Sequence, residues 1–183
     1  MTLRGTKNEV RKAKREQRDT VPPEQRAEMS AAIGKQVSAL PEFQRASCVH
    51  VFCSFGSEPD TTAIVQAAFE AGKRVFVPVT PNRDMVELRH VEIFPEQQYK
   101  PGVFGIPIPH FGDAEEYPYC EPSEFFTDGD CIIVPLLAFD NARHRLGYGR
   151  GFYDRFLART AGYTIGIAFS FQRVETLPTD EYD

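Results

Sequence analysis

No stretch of the 183-residue chain is apolar for long enough to cross a bilayer, so a transmembrane helix is excluded. The basic N-terminus is not followed by an apolar core, which excludes a secretory signal. Glu9, Glu16 and Asp19 interrupt it with negative charge and argue against a mitochondrial presequence. Cysteine is scarce. Cys48, Cys53, Cys120 and Cys131 form no C-x-x-C pair, and two of them lie in strand-like runs. Buried free thiols in a reducing cytoplasm are therefore expected, rather than zinc or disulfides. There is no Gly-x4-Gly-Lys-Ser/Thr, hence no Walker A loop, and no Gly-x-Gly-x-x-Gly, hence no Rossmann fingerprint. Internal repeats and low-complexity tracts are also missing. A net charge of −5 gives no general attraction to nucleic acid or to an acidic membrane.

What is present suits one globular domain over residues 1–183, with 42% hydrophobic and 26% charged residues. Cys48–Phe55 and Cys131–Leu137 read as continuous apolar strands, as in a parallel sheet covered on both faces. Arg74–Val79, Glu87–Ile93 and Tyr163–Phe169 are further strands. Thr6–Asp19, Glu24–Leu40, Thr62–Lys73 and Phe152–Arg159 read as helices. The expected fold is α/β: a three-layer sandwich with a mainly parallel central sheet flanked by helices. The segment 95–124 is rich in proline and aromatics and too long for a plain connection. His50 reads as a structural residue of its strand. Met29, Ile33, Val37 and Leu40 form the buried stripe of the second helix.

Chemistry concentrates in two places. The first is Asp140 to Arg155, read as strand, glycine-rich loop, helix. Gly147, Gly149 and Gly151 alternate, so backbone N–H groups can crowd a ligand without a Cβ in the way. Such a loop before a helix N-terminus suits an anion, and Arg143, Arg145 and Arg150 add cations. A polyanion such as a nucleotide phosphate chain would fit, with Asp154 one turn on as a metal ligand. A plain tight turn is the competing reading. The second place is Gly56–Thr61, at the carboxyl end of the Cys48 strand, where ligands of open α/β sheets bind. Glu58 there is a candidate for a polar ligand group. Lys7, Arg11, Lys14, Arg15 and Arg18 share one helix face, which in isolation reads as solvated.

Five motifs in order resemble those of the 5-formyltetrahydrofolate cyclo-ligase (methenyltetrahydrofolate synthetase) family. They are Lys7-Asn-Glu-Val-Arg11, Ser54-Phe-Gly-Ser-Glu-Pro-Asp-Thr61, Gly72-Lys-Arg-Val-Phe-Val-Pro78, Val134-Pro-Leu-Leu-Ala-Phe-Asp140 and Arg145-Leu-Gly-Tyr-Gly-Arg-Gly-Phe-Tyr-Asp154. The resemblance covers nearly the whole chain. It implies an enzyme that uses Mg2+ and ATP to close 5-formyltetrahydrofolate into 5,10-methenyltetrahydrofolate through a phosphorylated formyl group. It implies that Lys7 and Arg11 approach the phosphates, with Arg145, Gly147, Gly149, Arg150 and Gly151 as the phosphate loop. Arg145 and Tyr153 are the implied catalytic residues, Tyr153 at the junction of folate and ATP. Glu58 is implied at the pterin's polar edge, with Cys53, Met85 and Phe104 as apolar folate contacts. Asp154 and Asp183 are the implied metal ligands. Ile108, in Gly105-Ile-Pro-Ile-Pro109, departs from the Glu or Gln common in the family and is expected to loosen a folate contact. A cytoplasmic monomer with small-molecule partners, and neither nucleic acid nor membrane, is expected. A folate- or nucleotide-binding relative without activity is the alternative.

Overall fold

Side-chain alternation within the apolar runs sorts residues onto two buried faces, and this is visible strand by strand in the computed structural model of the chain. The structure describes residues 6–80, 83–84, 86–112, 117–121 and 126–178. Helices α1 (Lys7–Asp19), α2 (Pro23–Ala39) and α3 (Pro41–Arg45) come first, then strand β1 (Cys48–Val51). Helix α4 (Thr62–Glu70) links it to β2 (Arg74–Val79), followed by β3 (Arg89–Ile93). Short strands β4 (Tyr99–Pro101), β5 (Pro107–Pro109) and β6 (Tyr119–Cys120) precede β7 (Cys131–Pro135). Then come β8 (Ala138–Phe139), β9 (Arg145–Leu146), α5 (Phe152–Leu157) and β10 (Tyr163–Ile167).

The central sheet has the order β10-β7-β1-β2-β3-β6. Strands β10, β7, β1 and β2 pair in parallel, and β3 and β6 are added antiparallel. The expected α/β fold with a mainly parallel sheet and flanking helices is therefore what forms. Val49, Val51, Val75, Val77, Cys131 and Ile133 share one core with Val37 of α2 and Ile64 and Ala68 of α4. The intervening residues face the other way: Ile132 and Val134 pack with Phe156 of α5, and Cys48 and Phe76 pack with Phe126. Helices α2 and α4 approach so closely that a Cβ on Gly34 would lie 2.9 Å from the Cβ of Ala63. Beside that contact Ser30 and Val37 are buried, and the half-buried Ile33 and Leu40 pack on the same core as expected, while Met29 is the stripe residue that does not join it.

Most elements end earlier than the apolar runs do. Helix α4 stops at Glu70 because Gly72 takes φ +69, and the N–H groups of Gly72 and Lys73 close back on Phe69 and Ala68. Asp140–His144, expected as part of the glycine loop, does not belong to it. It is instead the turn of the β8–β9 hairpin, organised by the buried Asp140. The Asp140 carboxylate accepts from the backbone N–H of Ala142, His144 and Leu177 and bonds His144 Nδ1. Arg143, at φ +70 in that turn, does not line the cleft described below. The glycine loop proper is therefore only Gly147–Gly151.

Candidate active site

The carboxyl ends of β1 and β7 lie side by side, because those strands pair in parallel. The loops leaving them form the floor of an open cleft of about 1060 Å3. Twelve of the fourteen implied site residues line it. From the N-terminal helix come Lys7 and Arg11, and from the β1 side Cys53 and Glu58. The glycine loop and α5 bring Arg145, Gly147, Gly149, Arg150, Gly151, Tyr153 and Asp154, and the β4–β5 connection brings Phe104. Met85 and Asp183, the other two, lie outside the described residues. Ile108 does not line the cleft; its side chain is buried in the core beside Gly102, so the expected effect on a folate contact is not supported.

Local chemistry explains each placement. Loop 54–61 is braced by its own hydroxyls: Ser54 Oγ donates to Pro59 O (2.8 Å), and Thr61 Oγ1 donates to Phe52 O (3.0 Å). The Thr61 N–H donates to Ser54 Oγ (3.0 Å), and Asp60 Oδ1 accepts from Thr62 N (2.8 Å) to cap α4. This brace presents Glu58 to the cleft. Glu58 Oε2 accepts from the Phe55 N–H (2.9 Å) and Oε1 from the Tyr148 hydroxyl (2.5 Å). Burial raises the Glu58 carboxyl above its ordinary value, while Tyr148, the Phe55 N–H and Arg18 draw it down.

In the glycine loop, no backbone N–H from Tyr148 to Gly151 has a hydrogen-bond partner among the described residues. Gly149 (φ +92) and Gly151 (φ +66) occupy backbone conformations that disfavour a side chain. Beneath the loop lies Arg11, whose Nε donates to Gly147 O (2.9 Å). Helix α5 is only six residues long, so guanidinium groups and loop N–H groups, rather than a long helix dipole, make this end electropositive. Arg145 Nη2 bonds Asp154 Oδ1 at 2.5 Å, with the Asp154 side chain 72% exposed. The two charges hold each other at the mouth of the cleft. Tyr153 Oη is buried without a partner among the described residues, and burial pushes its phenol well above the ordinary value, the Glu58 charge adding to this.

The basic face of α1 is not solvated. Val10, Lys14 and Arg18, one turn apart, form its buried stripe. Lys14 Nζ donates to the carbonyls of Phe171 (2.5 Å) and Arg173 (3.3 Å), which docks the helix on the C-terminal segment. Lys7, Arg11, Arg15 and Arg18 border the cleft. Above it, Phe104 takes φ +61 in a short turn, and its ring lies 4.5 Å from the Arg150 guanidinium and 5.3 Å from that of Arg83. Arg18, Ser57 and Tyr148 were not singled out as site residues. Only the shared i, i+4 spacing of Val10, Lys14 and Arg18 could have signalled that cations face inward.

The cleft wall offers a carboxylate to a hard cation. Among the described residues no cluster of three metal-ligating side chains occurs. Mg2+ commonly takes one or two carboxylates, keeps waters, and completes its shell with phosphate oxygens. The exposed Asp154, on the cleft wall beside the glycine loop, fits that mode.

Comparison with known proteins gives consistent findings. A profile of the 5-formyltetrahydrofolate cyclo-ligase family matches residues 4–183. The 5-formyltetrahydrofolate cyclo-ligase of Escherichia coli (strain K12) is 33% identical over 172 residues, 92% of this chain and 91% of that protein. The solved structure of Aquifex aeolicus 5,10-methenyltetrahydrofolate synthetase superposes with a TM-score of 0.77 at 31% identity, covering 97% of this chain and 84% of that one. A methenyltetrahydrofolate synthetase structure from Mycoplasma pneumoniae has a TM-score of 0.72 at 21% identity, over 96% and 92% of the two chains, a likeness of fold.

Proposed function

The chain belongs to the 5-formyltetrahydrofolate cyclo-ligase family, and on that premise we propose that its cleft closes 5-formyltetrahydrofolate into 5,10-methenyltetrahydrofolate, converting ATP to ADP and phosphate with Mg2+ as the metal. The observation that carries this reading is a juxtaposition. Glu58, suited to the N–H donors of a pterin edge, is bonded to Tyr148 of the cationic glycine loop, so a heterocycle site and a polyanion site share one cleft.

The proposed steps follow from the chemistry. A formyl oxygen is a poor leaving group. It attacks the γ-phosphorus of ATP, the bond to ADP breaks, and the oxygen becomes that of a phosphate ester. N10 then bonds the formyl carbon, phosphate departs, and N10 gives up its proton. Phosphoryl transfer asks the protein chiefly for positioning and charge neutralisation. Lys7, Arg11, Arg145 and Arg150 supply positive charge, and the loop N–H groups from Gly147 to Gly151 supply donors. Asp154 would release Arg145 to the phosphates and hold the cation, joined in this reading by Asp183. A divalent cation there would neutralise charge on the transferred group. Tyr153, held neutral by burial, offers its hydroxyl where folate and nucleotide meet. Cys53, Phe104 and Met85 are the proposed apolar folate contacts.

No helix of the described residues is long and apolar enough to cross a membrane. All four cysteines are free. We place the protein in the cytoplasm as one domain over residues 1–183, a monomer with small-molecule partners.

The test is direct. Purified protein given Mg2+, ATP and 5-formyltetrahydrofolate should form a near-ultraviolet-absorbing product with one ADP per turnover. Binding of the folate without product would overturn the enzymatic reading in favour of a non-catalytic folate binder.

A further inference from the structure

Arg18 has no part in the reaction as drawn, yet it is the most buried cation of α1, at 3% exposure. Its Nε donates to Ser57 Oγ (2.9 Å), and its Nη2 donates to Tyr148 Oη (2.7 Å). A phenol carries one proton. With Arg18 donating to that oxygen, the Tyr148 proton goes to Glu58 Oε1, 2.5 Å away. Ser57 Oγ passes its own proton to Asp19 Oδ1. Three separate segments thus meet at Glu58: the end of α1, loop 54–61 and the glycine loop.

Such an arrangement fixes the carboxylate and leaves it usable. Each oxygen of an ionised carboxylate has about two lone-pair sites. One site on Oε2 is taken by the Phe55 N–H and one on Oε1 by Tyr148, so each oxygen keeps one free. The Tyr148 ring itself is 43% exposed and lines the cleft, so core packing does not account for it. We propose that Arg18 and Tyr148 are positioning residues for Glu58, holding its carboxylate as a two-oxygen acceptor for two adjacent N–H donors of the bound heterocycle. This rests on the reading of the cleft as a folate site.

The charges around Glu58 agree with the geometry. Arg18 and Asp19 face it from α1, Tyr148 from the glycine loop, Tyr153 from α5 and Cys53 from the end of β1. The Cys53 thiol is pushed up to about 12, by burial and then by the Glu58 charge, and Tyr153 is raised too, so both are neutral near pH 7. The Tyr148 hydrogen bond, then the Phe55 N–H, and then the Arg18 charge offset burial of the carboxylate.

Tyr148→Phe removes one hydroxyl, and Arg18→Lys keeps a charge without the two-pronged reach. In both variants KM for 5-formyltetrahydrofolate should rise about tenfold, as expected for a charge-assisted hydrogen bond, with kcat within about twofold. The acid limb of kcat/KM for the folate should move to higher pH. Independently of turnover, 13C titration of the Glu58 carboxyl in ligand-free protein, assigned with Glu58→Gln, should show it protonating at higher pH in Tyr148→Phe. An unchanged titration with an unchanged folate KM would overturn the proposal. So would equal losses for folate and ATP alongside a lowered Tm, which mark a mere brace. A wild-type protein that neither turns over nor binds 5-formyltetrahydrofolate would sink the folate reading alone, while the titration would still decide whether Tyr148 and Arg18 act through Glu58.

Discussion

Gly149 and Gly151 differ from Gly147 in what a methyl group would meet. At Gly149 a Cβ would combine φ +92 with a contact of 3.1 Å to the Arg11 guanidinium carbon. At Gly151 it would lie 2.7 Å from Arg155 Nη1, at φ +66. Gly147 has no positive φ, and its nearest neighbour would be Arg145 Nη1 at an ordinary 3.6 Å. Gly149→Ala should therefore raise KM for ATP by at least about tenfold, since a strained φ costs on the order of 1–3 kcal/mol and Arg11 must shift. Gly147→Ala should change it by less than about threefold. Steady-state kinetics at varied ATP check both. At this scale the grouping of the candidates was largely legible, because Glu58, Arg145 and Asp154 sit in the motifs that carry the resemblance, and the fold brings all three to one cleft. Tyr148 was not, since it reads as a spacer between glycines, and only folding sets it against Glu58.

Helix α1 is amphipathic in an inverted sense, with Lys14 and Arg18 on its buried side. A capping box starts it: the Thr6 N–H donates to Glu9 Oε2 (2.7 Å) and the Glu9 N–H to Thr6 Oγ1 (3.4 Å). Lys14 then anchors it to the carbonyls of residues 171 and 173. Lys14→Met keeps the stem and deletes the donor, stranding those carbonyls. It should cost about 1–3 kcal/mol, read as a lowered Tm and faster amide exchange in Lys7–Asp19. Unchanged exchange in α1 would show that Lys14 does not dock it. The spacing of the cations placed them on one face correctly. Taken without Val10, it could not reveal that this face turns inward, because the carbonyls that receive Lys14 lie more than 150 residues away in sequence. The β8–β9 and β4–β5 hairpins escaped for another reason: strands of two or three residues hold too few positions to display a period.

Across the whole molecule, the parallel pairing of β1 with β2 and of β7 with β10 follows from apolar runs joined by α4 and α5, and the sequence showed the mainly parallel sheet, though not its strand order. What it hid is the layer beneath α5. His50 Nε2 and His90 Nδ1 lie 3.1 Å apart, and the outer nitrogens His50 Nδ1 and His90 Nε2 are buried without partners among the described residues. The structural role expected for His50 fits this setting. Burial lowers both groups, His90 from 6.5 to about 4 and His50 well below its ordinary value. A base whose folded value is depressed stays neutral while the unfolded chain takes up the proton. Stability is therefore full above pH 6.5 and falls as pH drops towards 4. At pH 5 the His90 contribution should be weaker by about 2 kcal/mol than at neutral pH. Urea midpoints at pH 7.5 and 5 would report the slope, and His90→Gln should roughly halve it. A slope that ignores that substitution would count against this origin.

The chain contains no tryptophan. Phe104, at the roof of the cleft with the Arg150 guanidinium of the glycine loop 4.5 Å from its ring, is thus a natural seat for a reporter. An indole introduced there would be the sole emitter of its kind in the protein, sitting beside a cation that incoming phosphates would draw away. Its fluorescence would register nucleotide and folate arriving separately, and so reveal their order of binding in real time.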